Sequence, residues 1–290
     1  MQAPSRTTGN SRRVEIRQIF YSEETRQQLD PGFIPLDNCG QRPDWREYWP
    51  MRSFLQNHTL DENTLYGFFS PKFGQKTTLS STTVFEFLAT VPRDIDVMGF
   101  SPFFDQGAVH LNTFEQAATN HGNSWPVFEQ VVSFVAPGIN PRTVVMDSRH
   151  SIFCNYFVAT AAFWRRWLAV NEVLFSAAEA GASALAQLLN GPIPYANGFV
   201  PAKVFVQERI VSLLLLGERH WRVKHYDPLR LPMSGSIVSG YPADLLVLDA
   251  LKTAAIETGH ESYLAMFQQV RNTLLDTARR ANGMQAAGLG

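Results

Sequence analysis

The chain has 290 residues, 45% of them hydrophobic and 18% charged, which is ample for a sizeable core and excludes a disordered or fibrous protein. A net charge of -1 excludes a nucleic-acid binder that works by neutralising a run of phosphates. Two cysteines, Cys39 and Cys154, are too few for a disulfide scaffold and lack metal-ligand spacing, which predicts a reducing, cytoplasmic compartment.

The opening MQAPSRTTGNSRR has no apolar core and is expected to be a flexible arm over residues 1–13. Alternating apolar residues in VEIRQIFYSE predict a first strand from Val14, ending at Tyr21 and Ser22. The Pro/Gly-rich DPGFIPLDNCGQRPD that follows is expected to be loop. Asp44 with Glu47 three residues on forms a capping-box pattern before WREYWPMRSFL, weakened by Pro50. NTLYGFFSPKF predicts a second strand from Asn63, then a helix over 80–89, then a third strand in DVMGFSPFF from Asp96. Both strands run out into a Ser-Pro step, Ser70-Pro71 and Ser101-Pro102. Open α/β sheets bind ligands beyond the carboxyl ends of their strands, so these exits are candidate lips of a site.

Helices are expected over 111–120 and 124–135, a short strand in SIFCNYFVA from Ser151, and an amphipathic helix over 160–180 carrying Phe163, Trp164 and Trp167 on one face. GPIPYANGFVPAK is expected to be loop, leading into the helix VFVQERIVSLLLL, a strand in WRVKHYD, and two terminal helices over 242–257 and 261–281. Residues 14–283 are expected to form one domain and 284–290 a frayed tail. No apolar run approaches the roughly 18 residues of a spanning helix, although work at a membrane surface stays open.

Asp94-Ile-Asp96 precedes its strand, whereas metal-holding Asp-x-Asp steps follow one, so this pair is expected to be a helix-to-strand turn. The strand exits offer Lys72 and Asp105 instead. No HExxH occurs among the seven histidines; His121 is expected to cap a helix, and His225 follows a strand where a phosphate can approach. GxGxxG, GxxxxGK[ST] and GxSxG are all absent, which lowers the odds of a Rossmann oxidoreductase, a kinase or a serine hydrolase. Glu208 and Arg209 sit inside a strongly apolar helix, where a charge pair needs either partners or a task. An internal salt bridge is the plain alternative, and Glu47 and Asn155, polar among aromatics, pose the same question.

The order of PDWREYWPMRSFL, LYGFFSPKF, DIDVMGFSPFF, FEQAATNHG, FCNYFVATAAFWRRWL and KVFVQERIVSLLL resembles that of bacterial glycosyltransferase-like domains associated with capsule and O-antigen synthesis. The resemblance implies an α/β fold of GT-A-like (Rossmann-like) type: a twisted mixed sheet flanked by helices, with a nucleotide-sugar donor at the first strand's end. It places Tyr21 and Ser22 near the base or ribose, Glu47 near the donor pocket, and Asn155 and Asp105 on the acceptor side. Ser70 and Lys72 stand where such enzymes carry Asp-x-Asp, so no metal ligand is assigned, although Mn2+ or Mg2+ remains compatible with a diphosphate. Glu208 falls near the acceptor hydroxyl as the base, with Lys72, Arg209 or His225 as the positive group. The implied partners are a nucleotide-sugar and a glycan acceptor. The alternative is a non-catalytic nucleotide- or sugar-binding domain, or a protein-interaction domain, of the same fold. The apolar C-terminal helices either pack on the core or form a homodimer face.

Overall fold

The computed structural model describes residues 12–122, 124–195 and 198–287, with side chains to residue 283. Its strands are β1 (Arg13–Phe20), β2 (Ile34–Asp37), β3 (Thr64–Phe69), β4 (Val97–Gly99), β5 (Phe157–Thr160), β6 (Pro192–Tyr195), β7 (Gly198–Pro201) and β8 (Val223–His225). Its helices are α1 (Glu23–Gln27), α2 (Tyr48–Asn57), α3 (Phe73–Thr77), α4 (Ser81–Ala89), α5 (Phe104–Val109) and α6 (Thr113–Asn120). They continue as α7 (Trp125–Val135), α8 (Ala161–Ala180), α9 (Ala184–Asn190), α10 (Ala202–Gly217), α11 (Pro242–Thr258) and α12 (Glu261–Ala287).

Six strands form one mixed sheet in the order β2-β1-β3-β5-β4-β8. β1 pairs parallel with β2 and β3, β4 pairs parallel with β8, and β5 runs antiparallel between β3 and β4. The carboxyl ends of β1, β3, β4 and β8 therefore share one edge with the amino end of β5. Every residue of β3 is buried, as expected for a central strand covered on both faces. Gly67 lies between Ile16 of β1 and Val158 of β5, with no side chain of its own.

One face is covered by α2, α8 and α10. Trp164 packs against Phe68 and Phe157 and donates its indole N–H to the Tyr66 carbonyl at 2.8 Å, so its polar edge is satisfied inside the core. α10 is apolar on nearly every side, which makes it a core helix and not a surface one. The other face holds Phe33, Phe69, Phe73, Val84, Met98, Phe100 and Tyr156, with the Phe69 and Phe73 rings stacked at 4.0 Å. A third cluster joins α5, α11 and α12 through Phe104, Leu245, Leu248, Phe267 and Leu274.

Several local expectations change in the fold. β1 begins at Arg13, inside the expected arm; residues 1–11 lie outside the described residues. β2 forms within the stretch expected to be loop, because parallel pairing to β1 supplies its hydrogen bonds. The Asp44 capping box does not form: α2 starts at Tyr48, and Asp44 instead pairs with Arg42 and Lys203. Pro50 then sits in the first turn, where a missing N–H costs nothing. The strand expected from Ser151 is restricted to Phe157–Thr160, and GPIPYANGFVPAK forms the β6–β7 hairpin around the undescribed residues 196 and 197. α12 continues through Ala287, within the expected tail, while 288–290 lie outside the described residues.

Candidate functional site

The shared edge of the sheet gathers polar groups that the interior would not otherwise hold. Glu47, Ser70, Lys76, Cys154, Asn155, Gln207 and Glu208 line one cavity of about 30 Å3, room for roughly two water-sized groups. They arrive from five segments of the chain. Ser70 follows β3, Lys76 lies on α3, Cys154 and Asn155 precede β5, Glu47 precedes α2, and Gln207 and Glu208 lie on α10. The antiparallel insertion of β5 brings its amino end to the carboxyl ends of its neighbours.

The backbone around this cavity is strained. Cys154 and Asn155 are consecutive residues in the left-handed region, at φ 61 and 54, and Arg46, immediately before Glu47, has φ 43. Such conformations cost about 1–3 kcal/mol each and persist only where surrounding structure enforces them. Asn155 Oδ1 and Gln207 Nε2 are buried here without hydrogen-bond partners, and the Tyr21 hydroxyl lies within reach of the Glu47 carboxyl. Buried polar groups are almost always satisfied, so two orphans at one strand edge mark a candidate ligand site.

Burial raises the Glu47 carboxyl, and the charge of Glu208 adds to that rise. Burial, then the Glu47 charge, raises the Tyr21 phenol. Burial and Glu208 push the Cys154 thiol up to about 11, so it stands neutral at pH 7 and accepts a hydrogen bond from Lys76 Nζ at 3.2 Å. Ser70 Oγ and Tyr156 Oη are 2.6 Å apart, and Gln18 Nε2 of β1 donates to the Ser70 carbonyl, which fixes the end of β3. Glu208 keeps 35% of its side chain exposed.

Of the residues expected at the site, Glu47, Ser70, Asn155 and Glu208 converge, with Tyr21 beside them. The others serve elsewhere. Ser22 is exposed and caps α1, accepting from the Thr25 N–H. Lys72 is exposed at the start of α3, and Lys76, one turn later, takes its place at the cavity. Arg209 turns from the cavity into the core, where its guanidinium donates to the Phe205 and Thr113 carbonyls, to Gln116 and to Glu208. Asp105 is fully buried beneath the 234–239 loop and accepts from Ser234, Ser236 and Ser239. His225 lies at the far end of the sheet, its Nε2 donating to the Arg149 carbonyl at 2.9 Å. His121 ends α6 with its ring tilted against Phe205 at 4.2 Å, and Asp94 and Asp96 meet Arg222 in a turn before β4.

Sequence reasoning missed Lys76, Cys154, Gln207 and Asn38. Asn38 follows β2, buried beside the end of β1 with both amide atoms unpartnered. The available signal for Lys76 was its place four residues after Lys72, but Gly74 between them obscured the helix. Among the described residues, no group of three His, Cys, Asp or Glu side chains is placed to hold a metal ion. No described helix is long and apolar enough to cross a membrane. Neither protein families, curated proteins nor solved structures give a match to this chain.

Proposed function

We propose that the chain transfers a sugar from a nucleotide-sugar to a hydroxyl of a glycan acceptor, in the cytoplasmic stage of cell-surface polysaccharide synthesis. The observation that carries this reading is the meeting of Glu208, Glu47 and Lys76 in one strained cavity at the strand edge, with buried Asn155 and Gln207 left unpartnered. The mixed sheet supports a GT-A-like arrangement, with the donor over the ends of β1, β2 and β3 near Tyr21 and Asn38. The small cavity takes the reacting groups.

In the transfer, the acceptor oxygen bonds to the anomeric carbon as that carbon's bond to the diphosphate breaks. Glu208 takes the acceptor proton, and the nucleoside diphosphate leaves with the bonding electrons. Lys76 meets the departing charge in a partly desolvated setting, where a fixed cation is worth more than in water. Glu47, raised by burial, holds a proton more readily than a solvated carboxyl and is suited to donate a hydrogen bond to a donor hydroxyl.

The test begins with thermal shifts of the whole chain in nucleoside diphosphates and nucleotide-sugars, with and without Mn2+. A ligand at a hundred times its dissociation constant adds about 2.7 kcal/mol of stability. With the donor identified, Glu208→Gln is expected to lower turnover about 10²–10⁴-fold while keeping donor binding. Full turnover in that variant removes Glu208 as the base. Donor binding with no transfer by the native chain makes it a binding domain, and no binding at millimolar concentration removes the donor site.

A further inference from the structure

The edge that holds Glu208 also carries two cations that no carboxylate of the described residues neutralises. Arg42 and Arg52 are paired, the first with Asp44 and Glu179 and the second with Glu172. Arg46, between them in sequence, makes no ion pair among the described residues. Lys76 makes none either, and its ammonium donates to the neutral Cys154 thiol at 3.2 Å. Both residues keep part of their surface in solvent, so a ligand can reach them.

Several contacts bring the two cations to one place. Lys76 lines the Glu208 cavity, as does Glu47, the residue directly after Arg46. The Arg46 backbone is held at φ 43, and its guanidinium lies 5.4 Å from the centre of the Tyr195 ring on β6. Tyr195 packs in turn on Phe205 of α10, with ring centroids 5.8 Å apart, which ties the hairpin to the helix that carries Glu208. Electrostatics agree with that placement. Burial keeps the Glu47 carboxyl raised, with Glu208 adding to it, against the opposing charges of Arg46 and Lys76. Burial disfavours the charged form of Lys76, and Cys154, Glu208 and Tyr195 more than offset it. Glu47 and Tyr195 thus each lie within electrostatic reach of both cations.

Charge decides the class of ligand. Glu208 is paired with Arg209 at 3.2 Å, and the raised Glu47 carries its negative charge less readily than a solvated carboxyl. Arg46 and Lys76 are the charges left over, and they come from two segments, one before α2 and one on α3. A guanidinium presents a planar fork that matches two phosphate oxygens, while an ammonium acts as a point charge. We propose that Arg46 and Lys76 together cradle a diphosphate, with Tyr195 positioning the guanidinium. On the transfer reading of the same site this diphosphate is the one the donor carries, but its binding to the cradle does not require transfer.

The experiment is calorimetric titration of the whole chain in EDTA, with inorganic pyrophosphate as probe and orthophosphate and malonate as comparators. Pyrophosphate is expected to bind with a Kd on the order of 0.1–1 mM, about tenfold more tightly than either comparator. Arg46→Gln and Lys76→Gln should each weaken it about 10–100-fold. Arg46→Lys should weaken it less than Arg46→Gln. Lys72→Gln, the same loss of charge at the exposed start of α3, should leave it unaltered. Tyr195→Ala should weaken it about two- to fivefold, and Tyr195→Phe, which keeps the ring, should restore the native affinity. A native unfolding temperature in each variant separates loss of binding from loss of fold, and should Arg46→Gln not fold, Arg46→Lys and Tyr195→Ala carry the test. The proposal is overturned by no saturation below about 10 mM, by equal binding in folded Arg46→Gln, or by a comparator that binds as tightly as pyrophosphate. Pyrophosphate binding without any nucleotide-sugar binding keeps the cradle and removes the donor. Nucleotide-sugar binding equal in the native and Arg46→Gln chains keeps the donor site and removes the cradle.

Discussion

Gly67 shows how a single residue sets what the centre of the sheet can hold. A Cβ at this position would stand 2.8 Å from Val158 Cγ2 and 3.2 Å from Ile16 Cγ1, inside the packing distance of both neighbouring strands. Gly67→Ala is expected to cost about 1–3 kcal/mol by overpacking, read as a lower urea midpoint with an unaltered slope. A midpoint equal to the native one would show that β1 or β5 moves freely enough to absorb the methyl. At this scale the sequence was partly legible. Glu47, Asn155 and Glu208 stood out because a polar residue among aromatics or aliphatics is expensive without a purpose. Lys76 and Lys72 have the same side chain four residues apart, and nothing local says which one reaches the cavity.

The elements carry a second lesson, centred on α10. Glu208 and Arg209 are adjacent in sequence, but successive helical residues point about 100° apart. One therefore reaches the cavity while the other enters the core against α6. Arg209→Ala removes the hydrogen bonds to two backbone carbonyls and leaves Gln116 without its partner, and is expected to destabilise the chain by about 2–4 kcal/mol in chemical denaturation. Donor binding by the fraction that remains folded should survive. If the variant were fully stable yet unable to turn over, Arg209 would belong to the chemistry after all. Helix boundaries were legible where caps were local, as at Ser80 before α4 and Thr160 before α8. The β6–β7 hairpin and β2 were not, because their hydrogen bonds go to partners that local composition does not name.

The molecule as a whole is fastened by buried charges whose stability contributions rise with pH in two separate windows, one acidic and one alkaline. Burial raises the Asp105 and Asp147 carboxyls, but hydrogen bonds from Ser234 and its loop, and from His150, Arg149 and Thr253, outweigh it and hold both below the ordinary value. A folded value below the unfolded one means stability present above about pH 4 and lost as pH falls through the folded value. Asp105→Asn should be less stable at neutral pH and lose less on acidification, measured as unfolding temperature against pH. Lys252 on α11 donates to the Gly107, His110 and Met146 carbonyls, tying the C-terminal helices to the rest, and burial pushes it down to about 8. The unfolded chain then binds more protons between about pH 8 and the ordinary lysine value near 10.4, so stability rises with pH across that window. The native chain should gain in urea midpoint there relative to Lys252→Met, and parallel curves would show that Lys252 does not titrate. Much was readable from the chain alone: the α/β class, the Ser-Pro exits and the turn at Asp94 and Asp96, because these follow from period, propensity and local turn chemistry. The company each charge keeps was not readable, since it depends on β5 running backwards through the sheet and on the face each helix residue turns inward. Both are settled only when distant segments pack, by hydrogen bonds and buried surface that no short stretch of sequence contains.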